Sequence, residues 1–158
     1  MNLSAHVKIP DSLTDAGKRG LALSMMRRGH GFVGAAFLLK REDGDGYVWL
    51  HLLCQGIEII CKSLLLLHDF DGNYSKLSKK YGHKLTKCVL HTCAAYGYHD
   101  PRGAWFAEFQ TLAGFYERHW LRYETGFGLF VDPSTIPTGH LRHRVFALVR
   151  LLRMRGLV

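Results

Sequence analysis

The chain predicts an all-α fold, a single domain (residues 1–158) built as a bundle of about five helices. Three observations carry that expectation. Between residues 47 and 69 the sequence is apolar almost throughout, yet it carries one polar stripe: His51, Gln55, Glu58 and Lys62. Their spacing of i, i+4, i+7 and i+11 places all four on one side of a helix. From residue 104 to 123, Trp105, Phe106, Phe109, Leu112, Ala113, Tyr116, Trp120 and Tyr123 also recur at helical spacing. No stretch alternates with the period of two that strands need, and neither an internal repeat nor an interdomain linker is visible.

Residues 1–20, with Pro10 and Gly17, read as an irregular lead-in, and the helical bundle is expected over 21–155. A first helix is predicted over about 21–41, where Gly29, Gly31, Gly34, Ala35 and Ala36 allow close helix packing. Asp43-Gly44-Asp45-Gly46 then breaks the chain. The second helix, 47–69, is apolar around most of its circumference and belongs in the core, surrounded by other helices or by a partner chain. Glu58 and Lys62, near its middle, argue against a membrane span. They stand one turn apart with the glutamate first, so Glu58 is expected to pair with Lys62 or with an arginine such as Arg122.

Residues 70–82 read as a polar connection and 84–96 as a third helix. A second break, 97–103, contains Asp100-Pro101, and the aromatic-rich fourth helix follows over 104–123. Residues 126–139 form a loop with Pro133 and Pro137. The last helix, about 141–154, has Leu141, Val145, Leu148, Val149 and Leu152 on one face and arginines around the other.

At 158 residues the chain is long enough to bury a core without covalent staples, and its 47% apolar content excludes a disordered protein. The formal charge of +8 is unevenly placed. Residues 72–99 hold Lys76, Lys79, Lys80, Lys84 and Lys87 without an acid, and residues 140–158 hold Arg142, Arg144, Arg150, Arg153 and Arg155 without one. Such blocks suit an anionic partner, most simply nucleic acid or a nucleotide, the alternative being a solvated basic surface. The first twenty residues lack a continuous apolar run, and Cys54 and Cys61 read as buried thiols, so a cytoplasmic location is expected.

Three motif matches dissolve on inspection. Gly29-His30-Gly31-Phe32-Val33-Gly34 fits GxGxxG but lacks the strand–helix alternation of a dinucleotide fold, so it reads as a helix contact. Asp69-Phe70-Asp71-Gly72-Asn73 places its glycine too early for a calcium loop and reads as a turn. His83, Cys88, His91 and Cys93 lack zinc-ligand spacing, so neither a metal nor a cofactor is expected. Arg118 and Arg122 are more promising: one helical turn apart, two guanidinium forks can clamp a phosphate. The alternative is structural pairing with Glu58, Glu117 or Glu124.

The run Ile57-Glu58-Ile59-Ile60-Cys61-Lys62-Ser63-Leu64-Leu65 resembles the signature of HEPN domains, a glutamate, apolar residues, a lysine and then leucines. Tyr81-Gly82-His83-Lys84-Leu85 is similar to the loop that opens that family's next helix, and Leu112, Phe115, Tyr116 and Arg122-Tyr123 are similar to its later helix. The order agrees over roughly residues 22–155. The resemblance implies a four- or five-helix bundle, a homodimer, and RNA or nucleotide as ligand. It also implies a protein partner such as a nucleotidyltransferase or an antitoxin. Many HEPN domains are metal-independent RNases in toxin–antitoxin or phage-defence systems, with an arginine followed by four to six residues and then a histidine. None of the ten histidines here has that arginine; Arg118-His119 and Arg142-His143 are adjacent instead. The expected function is therefore binding of RNA, nucleotide or a protein partner without catalysis, with Lys80, His83, Lys84, Arg118 and Arg122 on phosphate. The alternative is an endoribonuclease with an unusual site made of His83, Arg118, His119 and Arg122.

Overall fold

A computed structural model describes residues 13–122 and 131–158. Its helices are α1 (Asp15–Arg41), α2 (Gly46–His68), α3 (Phe70–Tyr74), α4 (Leu85–Ala95), α5 (Ala104–Glu117) and α6 (Gly139–Met154). A π-helical turn at Leu77–Tyr81 precedes α4, a 3-10 turn at Pro133–Thr135 precedes α6, and the described residues contain no strand. The all-α bundle is the one the sequence predicts.

The first helix starts earlier than predicted. Thr14 caps it, its hydroxyl accepting from Gly17 N at 3.2 Å, and Asp15 sits in the first turn, where a negative charge suits the helix dipole. Residues 15–20 of the expected lead-in are therefore helical, while 1–12 lie outside the described residues.

α1 and α2 form a tight antiparallel pair whose closest approach is glycine on glycine. A Cβ at Gly29 would lie 2.9 Å from Ile60 N, and one at Gly56 would lie 2.9 Å from Val33 N and 3.0 Å from Gly29 O. Only hydrogen fits there, so the small-residue reading of the glycine motif holds at Gly29. Gly31 and Gly34, by contrast, face open space. Ser63 adds a buried bond across the pair, its hydroxyl donating to Ala22 O at 2.6 Å.

α2 is the axis of the bundle. Leu50, Leu53, Cys54, Ile60 and Leu65 are fully enclosed by α1, α4 and α5, and Val48 is its one exposed large apolar side chain. The helix has the length and apolar composition of a membrane span, yet it is mostly buried inside the chain. A single chain thus covers this helix, which removes the packing argument for a dimer formed around it.

The connection after α2 is more structured than expected. Asp69 caps α3 by accepting from Gly72 N at 3.0 Å, and the buried Asn73 amide donates to Leu65 O and Asp69 O. The aspartates that mimic a calcium loop are thus a helix cap and, at Asp71, a partner for Lys18. The π turn ends at Gly82, whose φ of 46° favours glycine.

Neither α4 nor α6 begins with a capping side chain of its own. α5 supplies both caps: Glu117 accepts from Thr86 N at 2.8 Å, and Glu108 accepts from Leu141 N at 2.8 Å. Each carboxylate satisfies an otherwise orphaned amide at the positive end of a neighbouring helix. α5 itself stops at Glu117, six residues before the predicted end at 123. His119 takes a φ of 62°, with His119 N bonded to Tyr116 O and Trp120 N to Phe115 O. That is a Schellman closure with histidine where glycine is usual. Tyr123, Glu124 and the first part of the predicted 126–139 loop lie outside the described residues.

Candidate functional site

The polar stripe of α2 meets the loop before α4 and the end of α5. At its centre is Glu58, only 3% exposed. Lys62 Nζ lies 2.6 Å from Glu58 Oε1 and 2.6 Å from Gly82 O, so the lysine ties α2 to the turn that carries His83. The Tyr116 hydroxyl donates to Glu58 Oε2 at 2.7 Å, and Gln55 Oε1 lies 3.1 Å from the same hydroxyl. Burial, then the Glu58 carboxylate, push the Tyr116 phenol well above its ordinary range, so it stays protonated and serves as a donor. His83 Nδ1 approaches Glu58 Oε2 at 3.4 Å. A buried carboxylate is tolerated when cations and hydrogen bonds surround it, and these three donors meet that requirement.

The His83 side chain is half exposed. The rings of His83 and His119 stand edge to face, with centroids 5.8 Å apart. His119 stands in the left-handed turn just past the end of α5. Farther up the stripe, Arg122 Nε donates to His51 Nε2 at 3.3 Å, and its Nη2 reaches Gln55 Oε1 at 3.3 Å. Burial, then the charge of Arg122, hold the His51 imidazole below its ordinary range. With Nε2 accepting, the proton of neutral His51 sits on Nδ1, which is buried and has no hydrogen-bond partner among the described residues.

The expected Arg118–Arg122 clamp is not built on a helix. Because α5 ends at Glu117, Arg118 is its cap residue, and its guanidinium stacks 4.9 Å over the Trp120 ring. Arg122 lies beyond the left-handed turn and works from the stripe. Among the described residues, Glu58 and Glu117 do not claim these arginines either: Glu58 takes Lys62, as expected, and Glu117 caps α4, while Glu124 lies outside the described residues.

Lys80 and Lys84 line a second feature, an open cleft of about 590 Å³ beside α4. Thr86, Lys87, Leu90, His91, Ala94 and Glu117 complete it. Lys87 belongs to the basic block that the sequence marks for an anionic partner, whereas Leu90 and His91 are lining residues that the sequence alone did not single out for this role. Tyr116 was likewise expected only as part of the aromatic core. Both omissions share a cause: helical periodicity assigns a residue to a face, and the neighbour opposite that face comes from elsewhere in the chain.

Cys88 is buried and its thiol is pushed up to about 12 by that burial, which leaves it inert as a nucleophile. Among the described residues, no three His, Cys, Asp or Glu side chains gather as a metal site. No family model, curated protein or solved structure matches this chain. Two imidazoles about 6 Å apart, one braced by a buried carboxylate, stand on the same face as an exposed guanidinium. Such a face suits phosphate oxygens, and two imidazoles this close together can both contact one bound ligand.

Proposed function

We propose that this chain is a HEPN-like module that binds RNA without catalysis. Phosphates would engage the face that runs from Lys80 and Lys84 past His83 to Arg118, His119 and Arg122. The observation that carries the reading is the convergence of His83 and His119, from separate segments, beside the stripe that holds Arg122. The acid-free lysine block of residues 72–99 supports it by adding long-range attraction for a polyanion. Binding measured by fluorescence anisotropy on a labelled RNA is the test. Four phosphate contacts, each worth about 0.7 in log–log salt slope, predict a loss of about fifty-fold between about 50 and about 200 mM salt. Replacing Arg118 and Arg122 together by alanine should weaken binding while the circular dichroism spectrum stays helical. If wild-type protein retains no RNA at low salt, the reading fails.

One observation favours a second reading, a metal-independent endoribonuclease. Glu58 holds Nδ1 of the half-exposed His83, whose other ring nitrogen would act as the base, with His119 beside it. His83→Ala and His119→Ala separate the readings: each abolishes cleavage in a nuclease but only trims affinity in a binding module. Self-association as a homodimer, and a nucleotidyltransferase or antitoxin as protein partner, rest on the family resemblance alone. Light scattering that returns the single-chain mass at micromolar concentration would remove the dimer from the proposal.

A further inference from the structure

We infer that the cleft beside α4 takes one unpaired nucleotide, its base against Leu90 and His91 and its phosphate among Lys80, Lys84 and Lys87. The RNA bound by this protein would then be single-stranded. The inference rests on the RNA reading above and deepens it by naming the substrate class.

Four features of the cleft point this way. Its volume, about 590 Å³, falls within the range of about 300–1,000 Å³ typical of small-ligand sites. Its lining joins an apolar part, here called the floor, to a cationic one: Leu90, 39% exposed, and Ala94 share the cleft with three lysines. A ligand of matching chemistry has a flat apolar part joined to an anion, which describes a nucleotide. Inorganic phosphate or an acidic peptide would leave the leucine uncovered.

The third feature is His91, whose ring lines the cleft and is braced from behind by the fully buried Tyr81 at a centroid distance of 5.5 Å. Burial, then Lys80 and Lys76, keep that imidazole below its ordinary range, so at neutral pH it is an uncharged aromatic face. Unstacked bases rest on such faces in many single-strand binders. The fourth feature is the one acid in the cleft, Glu117, whose charge is directed at the positive end of α4 through Thr86 N. It therefore opposes an incoming phosphate less than a free carboxylate would.

Duplex RNA presents the same phosphates but keeps its bases stacked inside, so it can reach the lysines and not the floor. That difference supplies the test. Anisotropy at low salt compares a labelled ten-nucleotide oligouridine with a short RNA duplex carrying the same number of phosphates. Wild-type protein should prefer the single strand by about ten-fold, in line with the loss of one stacked base. Leu90→Ser, at a position already exposed, should lower single-strand affinity about three- to ten-fold and leave duplex affinity unchanged. Lys84→Ala with Lys87→Ala should weaken both ligands. A silent Leu90→Ser overturns the inference whatever the strand preference, as does equal affinity for the two RNAs, and in either case the RNA reading stands. If neither RNA is retained by wild-type protein, the RNA reading falls and the cleft assignment falls with it.

Discussion

Glu58→Ala should be among the most damaging single substitutions in this protein. The change removes the acceptor on which Lys62, Tyr116 and His83 converge, at a position 3% exposed. Tyr116 keeps Gln55 as an alternative acceptor, so its loss is small. Lys62, with a side chain 13% exposed, keeps only the Gly82 carbonyl and becomes a stranded cation. Breaking one side of a buried pair costs about 3–5 kcal/mol. Since Lys62 is near enough to the surface to find water, the lower end applies, about 3 kcal/mol. For a domain of this size that is a fall in Tm of about 10 °C. Replacing Glu58 and Lys62 together by methionine removes the stranded charge and should recover most of the loss, to within about 1 kcal/mol of wild type. Urea unfolding followed by circular dichroism measures these two variants, together with Glu58→Met and Lys62→Met alone, against wild type. Two results would refute the reasoning: a Glu58→Ala loss below about 1 kcal/mol, or strictly additive effects in the double variant, since residues in contact should couple.

The glycines of the first helix should behave oppositely. Gly29→Ala, pressed on the backbone of Ile60, should cost about 1–3 kcal/mol, while Gly31→Ala, facing open space, should gain up to about 1 kcal/mol in thermal unfolding. At residue 119, His119→Gly should be about 1 kcal/mol more stable than His119→Ala, because only glycine adopts a φ of 62° without strain; equal urea midpoints would deny the left-handed turn. Glu117→Ala should lose about 1 kcal/mol, with amide exchange accelerated first at Thr86 at the start of α4. Stability should also fall between pH 7 and pH 5 in part through His51. Its folded-state imidazole is held low, so the unfolded chain takes up that proton first; the contribution is full above about pH 6.5 and is lost as the pH falls through the folded value. His51→Gln should show a flatter urea-midpoint profile over that range.

Helix content was legible wherever periodicity ran long. The α2 segment declares itself through its stripe, and the pairing of Glu58 with Lys62 follows from a spacing of four and the cost of burying either charge alone. Boundaries were legible only where a local signal was given its weight. Thr14-Asp15 is a capping pair that extends α1, and Asp69 caps a short helix inside what reads as a polar connection. The end of α5 carried no such signal, because a histidine in the left-handed conformation looks like any other residue in a helical pattern.

The site divides along the same line. From the sequence alone one can name the stripe, the basic blocks and the residues His83, Arg118, His119 and Arg122 as candidates for one face. Their arrangement was decided only by tertiary structure. The premature end of α5 separates Arg118 from Arg122, sending one to Trp120 and the other to His51 and Gln55. The π turn brings His83 to Glu58, and Tyr116 of α5 closes over the stripe at Gln55 and Glu58. Spacing along one helix is a local property, so the chain determines it directly. Contacts between His83 and His119, or between Tyr116 and Glu58, join residues far apart in the chain, and only the packed core brings such residues within reach.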